Sequence, residues 1–298
     1  MFATSTRNGL AQVRKTILFI IRIVRKGLYN TPLHRLALTN VLYERLFHIA
    51  YPKSELIRVT HENAIFDVPA RDITMLPSLL NGCYETCEFE LLKRVLLPGM
   101  IFVDVGANIG LYTVAAAKRV GDTGRVYAFE PEPGNYKLLQ QHLVLNEVRN
   151  VTIENVAVGS HKTQQSLMIS KNSIGTHSLL RRPKNSGQEE VKVDVISLDD
   201  YFAGIPGNIG VLKIDVEGYE PFVLKGAERL LSRVDLMLLE YTRNDVQSNF
   251  GITNLVRLLH DFSYIYGINE RTGKIGSFAL RDFQRTNYIN VVAAKKAL

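Results

Sequence analysis

The sequence predicts an α/β domain built around a doubly wound, mainly parallel sheet. Residues 101–113, IFVDVGANIGLYT, begin with an apolar run typical of a buried strand, turn between Gly106 and Gly110, and open a helical pattern at Leu111. Strand-like and helix-like segments then alternate along the chain. Ligands of such sheets bind at the carboxyl ends of the strands, so this glycine turn is a candidate binding site.

Five apolar segments, separated mostly by helical patterns, are expected to form the core of the sheet. They cover residues 101–105, 126–130, 151–158, 211–215 and 236–241. A hairpin-like excursion is expected between the third and fourth, with strands near 165–169 and 191–197 and a polar loop over 171–189. Two late segments, 263–267 and 287–294, are candidates for an antiparallel edge.

Length and composition are typical of a soluble globular protein with one large domain and an appendage. The chain has 298 residues, of which 46% are hydrophobic and 22% charged. Its two cysteines, Cys83 and Cys87, lack histidine companions at zinc spacing. We expect both to be reduced thiols, which fits a cytoplasmic location.

The basic charge is concentrated at one end of the chain. The net charge is +7, but residues 1–53 contain nine Lys and Arg residues and one acid, a net +8, so the remaining 245 residues sum to −1. The main domain is therefore neutral, and no nucleic-acid partner is expected.

Residues 1–55 are predicted to form a basic amphipathic helical extension, and residues 56–298 the main domain. Apolar residues recur at helical spacing over residues 10–28, with basic residues on the opposite face. Arg22 interrupts the apolar run well short of the about 20 residues that a membrane span needs, and no small-residue signal cleavage site follows. Two interpretations stay open: peripheral contact with the inner face of an anionic membrane, or docking or dimerisation against protein.

The acids beside the glycine turn distinguish between nucleotide cofactors. Asp104 ends the first core strand and Glu130 the second, 26 residues later, where an acid commonly holds ribose hydroxyls. Asn108 stands at the middle glycine position of the dinucleotide fingerprint. A carboxylate near the turn repels a pyrophosphate but suits the ammonium group of S-adenosylmethionine, so the sequence favours that cofactor over NAD.

The fourth core strand ends in the densest acidic cluster of the chain, with Asp215, Glu217 and Glu220. Asp215 and Glu217, joined by Glu240 at the end of the fifth strand, are the candidate catalytic residues. Two roles are open for them: a general base for an acceptor hydroxyl, or ligands of a divalent cation that lowers its pKa. Glu220, and with it Glu217, could instead cap the following helix.

Together the motifs resemble the FkbM family of S-adenosylmethionine-dependent methyltransferases, over roughly residues 80–294. The matching segments are YETCE (84–88), FVDVGANIGLYT (102–113), AFEPEP (128–133), NVAVG (155–159), SLDDY (197–201) and LKIDVEGYE (212–220). The resemblance implies a class I methyltransferase (Rossmann-like) fold. Its mainly parallel sheet has seven strands, one of which is antiparallel. It also implies methyl transfer to oxygen, most often to a hydroxyl of a sugar or of a glycosylated or polyketide product.

The resemblance implies roles for individual residues, carried over motif by motif. It implies that Asp104, Gly106, Asn108 and Gly110 contact the methionine part of the cofactor, and that Glu130 contacts its ribose. Asn155 and Ala157 are implied near the adenine, and Asp215 near the methyl group. Ala107 and Pro131 are also expected to bind the cofactor. Glu85 and Glu88 match a YE-x-x-E segment that also belongs to the cofactor site, although Thr86 replaces the usual proline.

The expected acceptor is a hydroxyl of a sugar in a glycan, glycolipid or glycosylated secondary metabolite. The loop 171–189 is the candidate for its recognition, and His177 in that loop is either an alternative base or an ordinary surface histidine. Two other functions stay open: methyl transfer to protein or nucleic acid, and a membrane-tethered, non-catalytic cofactor-binding protein. The sequence specifies neither the acceptor nor the oligomeric state.

Overall fold

The computed structural model describes residues 16, 47, 51–52, 54–170, 173–180, 189–269 and 272–298. The predicted helix over 10–28 lies outside these residues apart from residue 16, and the domain boundary after residue 55 stays a prediction. Phe47 and Tyr51 from the extension are buried in the core, with ring centroids 5.1 Å apart. In the part of the chain that is described, no helix has both the length and the apolar character needed to cross a bilayer.

The strands and helices follow the predicted alternation. The strands are β1 (Leu56–His61), β2 (Ala64–Pro69), β3 (Ile101–Val105), β4 (Arg125–Phe129), β5 (Val151–Glu154), β6 (Ala157–Val158), β7 (Thr163–Ile169), β8 (Glu189–Ile196), β9 (Ile209–Ile214), β10 (Val234–Thr242), β11 (Tyr264–Asn269), β12 (Lys274–Ser277) and β13 (Tyr288–Ala294). The helices are α1 (Met75–Leu80), α2 (Thr86–Val95), α3 (Leu111–Val120), α4 (Pro133–Leu145), α5 (Leu198–Tyr201), α6 (Glu220–Lys225), α7 (Glu228–Leu231), α8 (Arg243–Asn249) and α9 (Ile252–Leu258), with a 3₁₀ turn at Leu280–Gln284.

The predicted fold class is confirmed by the central sheet. Within the described residues it has eight strands in the order β12-β11-β13-β10-β9-β3-β4-β5. The five from β10 to β5 are parallel, whereas β13 is antiparallel to both β10 and β11, and β12 is an antiparallel edge strand. The sheet has one strand more than the expected seven, because Lys274–Ser277 pairs with β11. This is the mainly parallel arrangement that the resemblance implies.

The middle of the sheet is buried on both faces, which explains the near-continuous apolar runs of its strands. Every residue of β9 is buried. Alternate side chains enter two different cores: Val211 packs with Phe102 on one face of the sheet, and Leu212 and Ile214 pack with Val103 on the other. Helices therefore cover both faces, and only the strand ends are left to form a site.

Two smaller sheets flank this core. The hairpin β1–β2 is held to the glycine turn by His142, which is 1% exposed. Its Nε2 accepts from the Asp67 backbone N–H at 2.9 Å, and its Nδ1 lies 2.7 Å from the Ile109 carbonyl oxygen. The predicted excursion after β5 forms a second sheet in the order β6-β8-β7 within the described residues, so the expected strand 151–158 is divided into β5 and β6.

We predict that Gly226→Ala destabilises the fold by about 2 kcal/mol. A Cβ at residue 226 would lie 2.0 Å from the carbonyl oxygen of Gly159, so the backbone after β6 or that between α6 and α7 would have to move. Gly204→Ala is the matched control, because no described heavy atom lies within 4 Å of its added Cβ. Urea unfolding should show a lower midpoint for the first variant only, and equal midpoints for the two variants would contradict the prediction.

Candidate functional site

A cleft of about 800 Å³, including its open mouth, lies at the carboxyl ends of β3, β4 and β9. We call it the glycine-turn cleft. Its walls include Gly106, Ala107, Asn108, Glu130, Pro131, Ala157, Asp215 and Glu217, all of which the sequence analysis singled out. Ile174 and His177 from the loop after β7 also line it.

The glycine turn packs tightly against the end of β9. Gly106 has a φ of 80°, and a Cβ there would lie 1.8 Å from the Asp215 carbonyl oxygen, so only glycine fits. The backbone N–H groups of Gly106 and Ala107 both donate to the Phe129 carbonyl oxygen, at 3.1 and 3.0 Å. The turn is thereby fixed to the strand ends on both sides before any ligand binds.

Glu130 is buried at the end of β4 and faces the same turn. Its Oε2 accepts from the Asn108 backbone N–H at 2.7 Å, and its Oε1 accepts from the Glu132 backbone N–H at 2.9 Å. Burial raises the pKa of Glu130 to about 8, although these two hydrogen bonds oppose the increase. The expected adenine contact Asn155 donates through Nδ2 to the Glu130 carbonyl oxygen at 2.8 Å, which fixes the strand end and not the cleft wall.

Asp104 lies beneath the cleft and not on its wall. It is fully buried, accepts from the Thr113 hydroxyl at 2.6 Å, and has one oxygen 3.8 Å from Lys213 Nζ. Burial raises the pKa of Asp104, partly offset by the Lys213 charge. Gly110 likewise packs below the surface, where a Cβ would lie 2.4 Å from Leu139. The structure thus places these two predicted contacts one layer behind the cleft.

Lys213 is a central residue for which the sequence analysis proposed no role. It is 4% exposed, with its ammonium 3.1 Å from Asp215 Oδ2 and 4.7 Å from the centre of the Tyr112 ring. Burial alone lowers the pKa of Lys213, but the carboxyls of Asp215, Asp104 and Glu85 outweigh it and raise the pKa. A single lysine in the apolar run VLKI was the sequence signal that could have identified it.

A second cavity of about 1500 Å³, including its open mouth, adjoins the cleft, and we call it the acidic cavity. Its walls carry the carboxyl groups of Glu85, Glu88, Asp215, Glu217 and Glu240. Asp215, Glu217 and Lys213 line both spaces, as do Asn108, Tyr84 and Tyr112. A group held in the cleft and one held in the acidic cavity can therefore meet at Asp215 and Glu217.

Two of these acids hold protons more tightly than usual. The pKa of Glu240 is raised by burial and by Asp215, Glu220 and Glu217, and its carboxyl is hydrogen-bonded to Asp215. The pKa of Glu85 is raised by burial and by the nearby Asp215 charge, and the Tyr112 hydroxyl donates to it. Glu85, expected at the cofactor, thus lines the acidic cavity instead of the glycine-turn cleft.

Glu220 and Glu217, which the sequence left as candidate caps of the helix after the fourth core strand, have different surroundings. Glu220 is buried and accepts from the backbone N–H groups of Val216 and Gly218 at 3.0 and 3.1 Å, which caps the turn before α6. Glu217 lines both spaces instead.

Glu85, Asn108 and Glu217 all have positive φ values, 42°, 52° and 55°. Left-handed backbone at non-glycine residues is costly and clusters at functional sites.

The loop that closes the cleft is held by a residue that the sequence analysis missed. Asp72 is fully buried, and its Oδ2 accepts from the Ile174 backbone N–H at 2.7 Å. His177 is half-buried on the cleft wall, so the surface interpretation of this residue is wrong. Its Nδ1 accepts from the Ser170 backbone N–H at 3.0 Å, and burial lowers its pKa.

The divalent cation suggested by the acidic cluster receives no support. Among the described residues, no three histidine, cysteine or acidic side chains are grouped so that they could hold a metal ion. Asp215 is paired with Lys213, and Glu240 shares a hydrogen bond with Asp215. The described acids are therefore engaged with Lys213 and with one another.

Comparison with known proteins identifies the family. The profile described as "Methyltransferase FkbM domain" matches residues 104–266, more than half of the chain. Methyltransferase 1 of Beauveria bassiana is 25% identical over 196 residues, covering 58% of this chain and 76% of its own. The 31-O-demethyl-FK506 methyltransferase FkbM of Streptomyces tacrolimicus is 31% identical over 163 residues, covering 45% and 61%.

A third relative and two solved structures are also similar to the chain. Hexuronic acid methyltransferase AglP of Haloferax volcanii is 28% identical over 141 residues, which cover 46% of this chain and 54% of the relative. The chain thus spans less than two thirds of the length of both this relative and the Streptomyces protein. The Pyrococcus abyssi tRNA (uracil-54, C5)-methyltransferase, in complex with S-adenosyl-L-homocysteine, has a TM-score of 0.43 at 13% identity over 80% of this chain and 44% of its own. A Thermotoga maritima S-adenosylmethionine-dependent O-methyltransferase has a TM-score of 0.39 at 14% identity, over 76% and 72%.

The cleft fits the cofactor of this family. Asn108 Oδ1 is buried and has no hydrogen-bond partner among the described atoms, so it is an open acceptor for an ammonium or hydroxyl donor. The Glu130 carboxyl and the apolar side chains of Phe129 and Ala157 complete walls suited to a nucleoside. The chain therefore belongs to the FkbM methyltransferase family, and it is an S-adenosylmethionine-dependent methyltransferase.

Proposed function

We propose that the protein transfers a methyl group to a hydroxyl oxygen, most often that of a sugar in a glycan, glycolipid or glycosylated secondary metabolite. The observation that carries this proposal is that Asp215 and Glu217 line both the glycine-turn cleft and the acidic cavity. A methyl donor in the first space and an acceptor in the second would meet beside two carboxyl groups.

The cleft residues would hold the cofactor. Bound S-adenosylmethionine supplies an electrophilic methyl group on a sulfonium sulfur. The Glu130 carboxyl would accept hydrogen bonds from its ribose hydroxyls, and Pro131 and Ala157 would pack near the ribose and adenine. Asn108 would accept from the ammonium of the methionine part through its open Oδ1. Asp104, Gly110 and Asn155 would act indirectly, by fixing the turn and the strand end.

The acidic residues would handle the acceptor proton. A sugar hydroxyl is a weak nucleophile near neutral pH, so a base that takes its proton during attack lowers the barrier. Asp215 is the first candidate, because Lys213 fixes one of its oxygens at 3.1 Å and its side chain is 34% exposed to the cavity. Glu217 is the second candidate. Glu240, hydrogen-bonded to Asp215, would orient it.

Two relatives support a glycosylated or polyketide acceptor by their names, one acting on hexuronic acid and the other on 31-O-demethyl-FK506. The net charge of the main domain is close to zero, which does not favour a nucleic-acid acceptor. We further propose a cytoplasmic protein that contacts the inner face of the membrane through residues 10–28, where a lipid-linked saccharide would be accessible. This part of the proposal rests on the sequence pattern alone.

We predict that Asp215→Asn lowers kcat by about 10²–10⁴-fold, with a smaller or equal loss for Glu217→Gln. The affinity for S-adenosylhomocysteine, measured by calorimetry, should stay within about threefold of wild type, because the residues assigned to its ribose, adenine and ammonium groups are unchanged. Asp235→Asn, at an exposed position of β10, is the matched control. Glycans from cells that express the wild-type chain should gain the mass of one methylene unit. Undiminished methylation by both active-site variants would contradict the assignment.

We predict that ribose binding depends on pH through Glu130. A carboxyl with a pKa of about 8 is mostly protonated at pH 7 and mostly ionised at pH 9. Because the ionised form accepts hydroxyl hydrogen bonds more strongly, affinity should rise with pH, by roughly tenfold at most between pH 7 and pH 9. The ligand 5′-methylthioadenosine carries the ribose but no titrating amine.

Calorimetry at pH 7, 8 and 9 should show this rise for the wild type and for Glu147→Gln, an exposed control. Glu130→Gln should bind more weakly and without the pH dependence. A wild-type affinity that stays flat over this range would rule out a carboxylate contact to the ribose.

We predict that the full chain co-sediments with vesicles of phosphatidylglycerol and phosphatidylcholine, and that a chain starting at residue 31 does so far less. The basic face of residues 10–28 should contribute about 1 kcal/mol for each Lys or Arg near the surface, and binding should weaken with added salt. Equal recovery of both chains would instead favour docking against protein.

A further inference from the structure

The acidic cavity carries a net negative charge, although Glu85 and Glu240, whose pKa values are raised, contribute less to it than fully ionised carboxylates would. Among the described residues, five carboxyl groups line it, those of Glu85, Glu88, Asp215, Glu217 and Glu240, together with one ammonium, that of Lys213. The ammonium lies within 4 Å of both Asp215 and Asp104, and Asp104 is fully buried behind the wall. Two carboxylates therefore already balance Lys213, and little of its charge is available to a ligand.

We propose that the acceptor group that enters this cavity is hydroxylated and carries no acidic substituent. This inference rests on the proposed function and specifies its substrate class: a neutral or amino sugar, and not a uronic acid, sulfated or phosphorylated sugar.

The physical argument is one of repulsion and of hydrogen-bond matching. Even at the dielectric constant of water, a unit negative charge about 6 Å from a carboxylate lowers binding roughly threefold per pair, and more in a partly desolvated space. Ionised carboxylates only accept hydrogen bonds, whereas sugar hydroxyls donate them. Because the pKa values of Glu85 and Glu240 are raised, these two carboxyl groups hold a proton more readily than usual. When protonated, they can also donate hydrogen bonds to hydroxyl oxygens. An uncharged polyol satisfies these groups without adding repulsion.

The chain contains its own probes of this cavity. It has two cysteines, Cys83 and Cys87, neither in a disulfide, and both line the acidic cavity. Methanethiosulfonate reagents that differ only in a trimethylammonium or a sulfonate end group label such thiols at rates that depend on the local potential. Because both reagents react with the same thiolate, the fraction of ionised thiol cancels in the ratio of the two rates. The test requires no known acceptor.

We define the normalised ratio as the ratio of cationic to anionic labelling rates divided by the same ratio for 2-mercaptoethanol. We expect its value to be about 5 or more. Cys83→Ser and Cys87→Ser assign the labelling to each site. Glu217→Gln removes one cavity carboxylate and should lower the ratio at least twofold. Glu147→Gln, at an exposed position outside the lining of the cavity, is the matched control and should leave the ratio unchanged.

A normalised ratio of one or below would overturn the proposal, and so would an elevated ratio that Glu217→Gln leaves unchanged, because the field would then arise outside the cavity. Labelling does not depend on methyl transfer. A failure of the proposed hydroxyl methylation, detected by the glycan measurements, is therefore distinguishable from a failure of this inference.

Discussion

The buried ammonium of Lys213 is the interaction on which the site depends. It lies 3.1 Å from Asp215, 3.8 Å from Asp104 and 4.7 Å from the centre of the Tyr112 ring. Leaving one member of a buried ion pair alone costs about 3–5 kcal/mol, so these groups are stable only together. Because Asp104 belongs to β3 and the other two charges to the end of β9, the pair fixes how the two central strands present their carboxyl ends.

The close contact between the glycine turn and Asp215 brings the two spaces of the site together. Gly106 leaves no room for a side chain between the turn and the Asp215 carbonyl oxygen. Asp215 and Glu217 consequently form a thin wall shared by the cleft and the acidic cavity. Such fixed proximity is what methyl transfer requires, since the sulfonium is already a good leaving group and alignment supplies much of the rate.

Sequence patterns predicted the strands and their acidic ends well, but not the direction of every side chain. Asp104 and Asn155 were expected to touch the cofactor. In the structure, Asp104 is buried beside Lys213, and the side chain of Asn155 donates to the Glu130 carbonyl oxygen. Glu85 was expected in the cofactor site and lines the neighbouring cavity. In each case the residue sits at a strand end or in an irregular turn, where one backbone rotation decides which space the side chain enters.

The sequence by itself determined the alternating α/β fold, the glycine turn, the family and the acids at the strand ends, because these follow from local periodicity and from motifs contiguous in the chain. Only the tertiary structure decided that Lys213 joins Asp104 to Asp215, that Asp72 holds the loop at Ile174, and that five acids from three segments surround one cavity. These contacts join residues far apart in the chain, and their energies depend on burial and distance, which a one-dimensional pattern does not contain.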